Sequence, residues 1–190
     1  MQRVALAPFH PARLPEIASG AWLARRWYLT FRTRRSYSVR QVSPGDRRLL
    51  AEFMLAVNAN ATDRERGSLQ DLTTMLFDRV IVGADGATAF VALENVDGAD
   101  RAIGVCAYVQ SGQDGADFAI AVANSHREEQ VGRTLLETLL REARRVGVRR
   151  LSGEMTWSNR AMHSLAASMG FQVLPLPRDR NYRLLVLELK

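Results

Sequence analysis

The chain has 190 residues, 47% of them hydrophobic and 24% charged, enough for one well-buried soluble domain with an appendage. No apolar run reaches the ~20 residues that a membrane-spanning helix needs, and the one cysteine, Cys106, excludes an internal disulfide and any sign of an oxidising compartment. Three scattered histidines leave no raw material for a metal cage, so no metal is expected and the expected location is the cytoplasm.

The formal charge of +6 is unevenly placed. Residues 1–45 carry eight arginines against one acid, Glu16, whereas the other 145 residues carry 18 bases and 19 acids. Lys190 is the only lysine, a bias that fits codon usage in a GC-rich, bacterial-type genome and weakens each arginine as a sign of phosphate recognition. Residues 1–36, with Pro8, Pro11 and Pro15, read as a basic N-terminal extension: a disordered arm, a short helix over 16–28, or a leader. A nucleic-acid role for it would show as steeply salt-dependent binding. The segment has no recognised motif, and nucleic acid is not the expected partner.

From residue 37 to 190 the pattern is that of one domain. The alternation of "SYSVRQV" gives a strand, and Ser43-Pro44-Gly45-Asp46 starts a helix over 44–58 with Leu49, Leu50, Phe53, Met54 and Val57 on one face. A polar stretch, 58–68, leads to a short helix near 69–77. Three strands follow, 88–95, 102–109 and 117–123, joined by short Asp-Gly and Gly links that favour an antiparallel meander. Val131, Leu135, Leu136, Leu139, Leu140, Ala143 and Val146 then form an apolar stripe ending at Gly147. A strand at 149–155 makes the preceding unit a parallel crossover. A helix over 159–169 and strands at 171–174 and 182–189 complete an α+β fold with a mixed, mostly antiparallel sheet. The last strand, if exposed, offers an edge for a homodimer.

The most informative junction is "AVANSHREEQVGRTLL", where a strand runs into the long helix. Unpaired N–H groups and the positive end of the helix dipole make such a junction an anion site, which Arg127, Gly132 and Arg133 suit. Its Arg127-Glu128-Glu129-Gln130-Val131-Gly132 resembles the Q/R-x-x-G-x-G/A loop of the GNAT N-acetyltransferases. "NRAMHSLAASMGF" resembles the ending that follows in that family, and the likeness covers roughly residues 37–174. Within the family, "SYSVRQVSPGDRRLLAEF", "ADFAIAV" and "LSGEMTWSNRAM" look most like bacterial Pat-type protein lysine acetyltransferases.

The resemblance implies a three-layer α/β/α fold and acetyl-CoA as cosubstrate. An amine, protein lysine or small molecule, would be the acceptor, attacking directly without a covalent enzyme intermediate. It places the backbone of Ile120, Ala121 and Val122 beside the pantetheine arm and amides from Glu128, Gln130, Val131, Gly132 and Arg133 at the pyrophosphate. Asn159 would lie near the thiol, and Asp117 where Pat-type enzymes carry a glutamate base. Gln130 stands at the family's first loop glycine, and Ala166 where many members have a tyrosine acid. From the residues themselves, Glu154 on the fifth strand is a second candidate base or substrate contact.

The same loop has another reading. Ser125-His126-Arg127-Glu128 matches a capping box, and acids in the first turn suit a helix dipole without any ligand. The chain would then be a non-catalytic GNAT-fold binding module. His126 is placed beside a phosphate or in a cap, His163 on a solvated or packed helix face, Cys106 in the core, and Trp157 in packing or in the acceptor wall.

Overall fold

The computed structural model describes residues 37–126 and 130–189. The expected basic extension over 1–36 and the expected loop ligands Arg127 and Glu128 lie outside them.

Seven strands form one sheet. They are β1 (Tyr37–Gln41), β2 (Ala87–Val96), β3 (Ala99–Ser111), β4 (Gly115–Val122), β5 (Arg150–Thr156), β6 (Gln172–Pro175) and β7 (Tyr182–Glu188), in the order β1-β2-β3-β4-β5-β7-β6. Every neighbouring pair is antiparallel except β4 and β5. Four α-helices cover it: α1 (Arg47–Ala59), α2 (Asp63–Thr74), α3 (Val131–Arg145) and α4 (Arg160–Ser168). Leu50, Phe53 and Leu72 of α1 and α2 pack with Val91 and Val105 on one face. On the other, Leu135, Leu136 and Leu139 of α3 pack with Ile103, Phe118 and Leu151. The three-layer α/β/α arrangement and the mixed sheet are those expected.

Local chemistry explains the boundaries. β2 and β3 run further than expected because Asp97 and Gly98 both take positive φ, 51° and 85°, the two-residue turn that continues the ladder to Val96 and Ala99. Gly147 and Gly170, at φ 86° and 84°, end α3 and α4 as expected.

The short helix expected near 69–77 begins earlier, within the polar stretch 58–68. α2 starts at Asp63 because the Glu65 carboxylate accepts from both the N–H and the Oγ of Thr62, at 3.0 Å each, a capping box inside the polar stretch. After Thr74 the helix widens into a π-helical segment, Met75–Val80.

α1 is entered through a 3-10 turn, Pro44–Asp46. Burial alone would raise the Asp46 carboxyl. The Arg40 fork at 2.7 and 2.6 Å, together with the N–H and Oγ of Ser43, holds it below the usual carboxylate range. A depressed folded value contributes stability above the unfolded pKa of ~4, lost as pH falls through the folded value. Asp46→Asn is therefore expected to cost about 1–3 kcal/mol at pH 7. That deficit should shrink below about pH 4, read as the melting temperatures of both proteins against pH.

Candidate active site

β4 and β5 are joined only at Gly115–Arg150, Ala116–Leu151 and Asp117–Ser152, whereas β3 stays paired with β4 as far as Val122. Beyond Asp117 the side of β4 that faces β5 has no ladder partner, and a cavity of about 540 Å³ occupies the gap. It passes through the sheet, from Leu69 and Ser68 of α2 on one face to Gly132 and Arg133 of α3 and Met162 and Leu165 of α4 on the other.

The expected positions fall into groups. Ile120, Ala121 and Val122 line the open edge of β4. Gln130, Gly132 and Arg133 line the α3 end, whereas Val131 is fully buried in the core and is not part of the wall. The N–H of Thr134 donates to the carbonyl of Gln130 at 3.0 Å, and among the described residues no side chain caps the helix. The amides of a helix's first turn point out of its start and suit an anion.

Packing does not demand glycine at 132. A Cβ there would meet Leu165 and Val122 at an ordinary 3.5 and 3.6 Å, so the bare backbone leaves room at the cavity wall rather than relieving a clash. Arg133 lies beside it, its Nη2 donating to Ser168 Oγ at 2.7 Å. Asn159 is in the wall, its side-chain oxygen accepting from the Met162 N–H at 3.1 Å as the cap of α4.

Ser125 does not cap α3, which begins six residues later. Ser125 sits in a 3-10 turn, Asn124–His126, with its Oγ 2.8 Å from His126 Nδ1. The other ring nitrogen of His126 is 2.6 Å from Glu94 Oε2, so this buried histidine ties the turn to β2. No motif signals that pairing, because its partner is 32 residues away.

Gln130 takes φ 60° and ψ 7°, the left-handed conformation that a glycine adopts most easily. This strained position is also the one where the resemblance puts a loop glycine. Gln130→Gly is expected to add about 0.5–1 kcal/mol by relieving this strain, less the greater freedom of the unfolded chain. Chemical denaturation measures it, and a loss of stability would contradict the expectation.

The two candidate carboxylates share a sheet face. Ala119 and Ala121 alternate toward α1 and α2, as Asp117 therefore does, and Leu151 and Met155 point to the opposite core, leaving Ser152 and Glu154 on the α2 side. Glu154 lines the cavity and is hydrogen-bonded to Arg178 of the β6–β7 link. Asp117 is at the last paired rung, accepting from Ser152 Oγ at 2.8 Å, and is not among the lining residues. Trp157 also stands outside the wall, under Arg183 at 4.3 Å and edge-on to His163. Cys106 is buried, its Sγ donating to the Leu135 carbonyl at 3.4 Å, and burial pushes its thiol up, as suits a core residue. Among the described residues no group of side chains could hold a metal ion, and no helix is long and apolar enough to cross a membrane.

A parallel strand pair that parts beside the start of a helix is what the resemblance to the GNAT N-acetyltransferases implies for β4, β5 and α3. The profile of the Acetyltransferase (GNAT) family matches residues 51–171, and the chain belongs to that family. Acetyltransferase PA5475 of Pseudomonas aeruginosa is 26% identical over 148 residues, covering 76% of this chain and 80% of the relative. Among solved structures, a GNAT-family acetyltransferase from Staphylococcus aureus Mu50 superposes with a TM-score of 0.64 at 15% identity. It covers 81% of this chain and 99% of that one. The GNAT domain of S. lividans PAT gives 0.60 at 19% identity, over 81% and 91%. At these identities the structures bear on fold.

Proposed function

We propose that the chain transfers an acetyl or other short acyl group from coenzyme A to an amine, the acceptor nitrogen attacking the thioester directly. The observation that carries this reading is the cavity opened where β4 and β5 part, with an unpaired strand edge on one side and the start of α3 at one end. An extended pantetheine arm carries amides that such an edge can pair, as a neighbouring strand would. Its pyrophosphate suits the amides of residues 131–133 and the Arg133 guanidinium.

In the reaction a C–N bond forms as the C–S bond breaks, one nitrogen proton passing to the departing coenzyme A thiolate, and before attack the acceptor ammonium must give up another proton. Glu154 is the group we assign to receive it, because its carboxylate stands in the wall and Arg178 fixes its direction. Asp117, one rung outside the cavity on the same face, is the alternative base. The likeness in sequence to Pat-type enzymes supports a protein lysine among the possible acceptors.

Calorimetric titration with acetyl-CoA tests the reading. Saturable binding is expected, and no heat at millimolar ligand would sink it. The non-catalytic alternative finds support in Gln130 replacing glycine, while the left-handed backbone at that residue, a conformation glycine adopts most easily, favours the binding reading.

A further inference from the structure

The cavity has two unlike halves. On the α3 and α4 face it meets Gly132 and Arg133, where the pyrophosphate is placed, and the pantetheine arm follows the open edge of β4 toward the sheet. Whatever the thioester carries then emerges on the α1 and α2 face. There the wall holds Val57, Ala61, Leu69, Ala119 and Ala121, all of the apolar cluster that joins α1 and α2 to the sheet. Val57, Ala61 and Ala119 are only partly buried, and Ala119 and Ala121 put no more than a methyl group each into the gap.

The polar side chains of α1 and α2 in this wall are turned to other tasks. Glu65 accepts from the N–H and Oγ of Thr62, and Asn60 Nδ2 donates to the Ala56 carbonyl at 2.8 Å. The Ser68 oxygen is itself buried and gives the cavity no polar surface. Glu154 is bonded to Arg178 and stands on β5, across the gap from the two alanines of β4. Among the described residues the one base in the wall is Arg133, at the α3 end.

We infer that this apolar half is an acyl pocket, and that the substrate is the coenzyme A thioester of a straight aliphatic acid longer than acetate, with butanoyl-CoA its representative. The inference rests on the acyltransfer reading and deepens it. The chain lies along Ala119 and Ala121 beneath Val57, Ala61 and Leu69, while the acceptor nitrogen comes to the carbonyl from the Glu154 side. Methylene groups gain from leaving water for such a wall. A dicarboxylic acyl group of the same length would instead bring a carboxylate in with no base to pair it.

Calorimetric titration with coenzyme A, acetyl-CoA, butanoyl-CoA and succinyl-CoA tests this without knowledge of the acceptor. Each methylene buried should tighten binding about fourfold, so wild type is expected to hold butanoyl-CoA at least about tenfold more tightly than acetyl-CoA. Succinyl-CoA, with the same number of acyl carbons, should bind at least about tenfold more weakly than butanoyl-CoA. Ala119→Leu and Ala61→Leu fill the pocket from the sheet and from the turn after α1. Each should bring the butanoyl-CoA and acetyl-CoA affinities to within about twofold of one another. Melting curves show whether the variants fold, and if neither does, the wild-type series decides alone.

Equal affinity of wild type for acetyl-CoA and butanoyl-CoA, a preference for succinyl-CoA, or an unchanged ratio in a folded variant would each overturn the acyl pocket. Failure to bind coenzyme A and all three thioesters would instead defeat the acyltransfer reading beneath it.

Discussion

Glu154→Gln is expected to lower kcat by about 10²–10⁴-fold, the usual worth of a positioned base, while leaving acetyl-CoA affinity unchanged. An amine attacks a thioester only once unprotonated, and a glutamine in the same place cannot take the proton. The amide oxygen still accepts from Arg178, so the β6–β7 link stays fastened. The original pair is partly exposed, Arg178 72% and Glu154 30% open, so stability should change by no more than about 1 kcal/mol. Asp117→Asn is the necessary companion. Outside the wall and already bonded to Ser152, Asp117 should matter less than tenfold when changed. Steady-state kinetics with saturating acetyl-CoA decides between them, and a larger loss in Asp117→Asn would move the base to that residue.

Gly153→Ala is expected to be the most damaging small substitution in the sheet. A Cβ at Gly153 would lie 2.6 Å from Phe118 Cε1 and 2.8 Å from the Phe118 carbonyl oxygen. The ring has some room to move, but the carbonyl belongs to β4. Relief must come from pushing β4 and β5 apart at the point where they already begin to diverge. Overpacking of this kind costs about 1–3 kcal/mol, and the backbone contact puts this site at the upper end. Because Phe118 and Met155 also line the cavity, acetyl-CoA affinity should fall with stability. Urea denaturation and calorimetry on one preparation measure both. A variant as stable as wild type would mean that the two strands yield more easily than their packing indicates.

Most of the architecture was legible in advance because it rests on periodicities that need no partner to be seen. The α3 stripe from Val131 to Ala143 repeats at helical spacing, and the Asp97-Gly98 turn is a local signal. α2 was harder. Its first turn is nearly all polar, and its start is marked only by the side chains of Thr62 and Glu65. The cavity was partly legible: Gly132 and Arg133 came from the strand-to-helix junction, and Ile120–Val122 and Asn159 from the family resemblance. Ser68 could not be found that way. A serine in a polar helix carries no signal until the fold shows that its hydroxyl is buried without a partner. The Glu94–His126 and Glu154–Arg178 pairs join residues from different elements, and single-chain patterns do not record such meetings.

The place of β7 in the sheet bears on how the chain assembles during synthesis. β1 to β4 pair as neighbours, β1 across helical residues and β2 to β4 through short turns, so that half can close as soon as it leaves the ribosome. β5 and β6 cannot do the same. Each has β7 as a neighbour, and β7 is made after both of them. Until residues 182–188 emerge, the far side of β5 is an unpaired edge. A ribosome pausing between β5 and β7 would therefore hold a strand that lines the cavity open to aggregation, so translation speed across that stretch bears on the yield of folded protein.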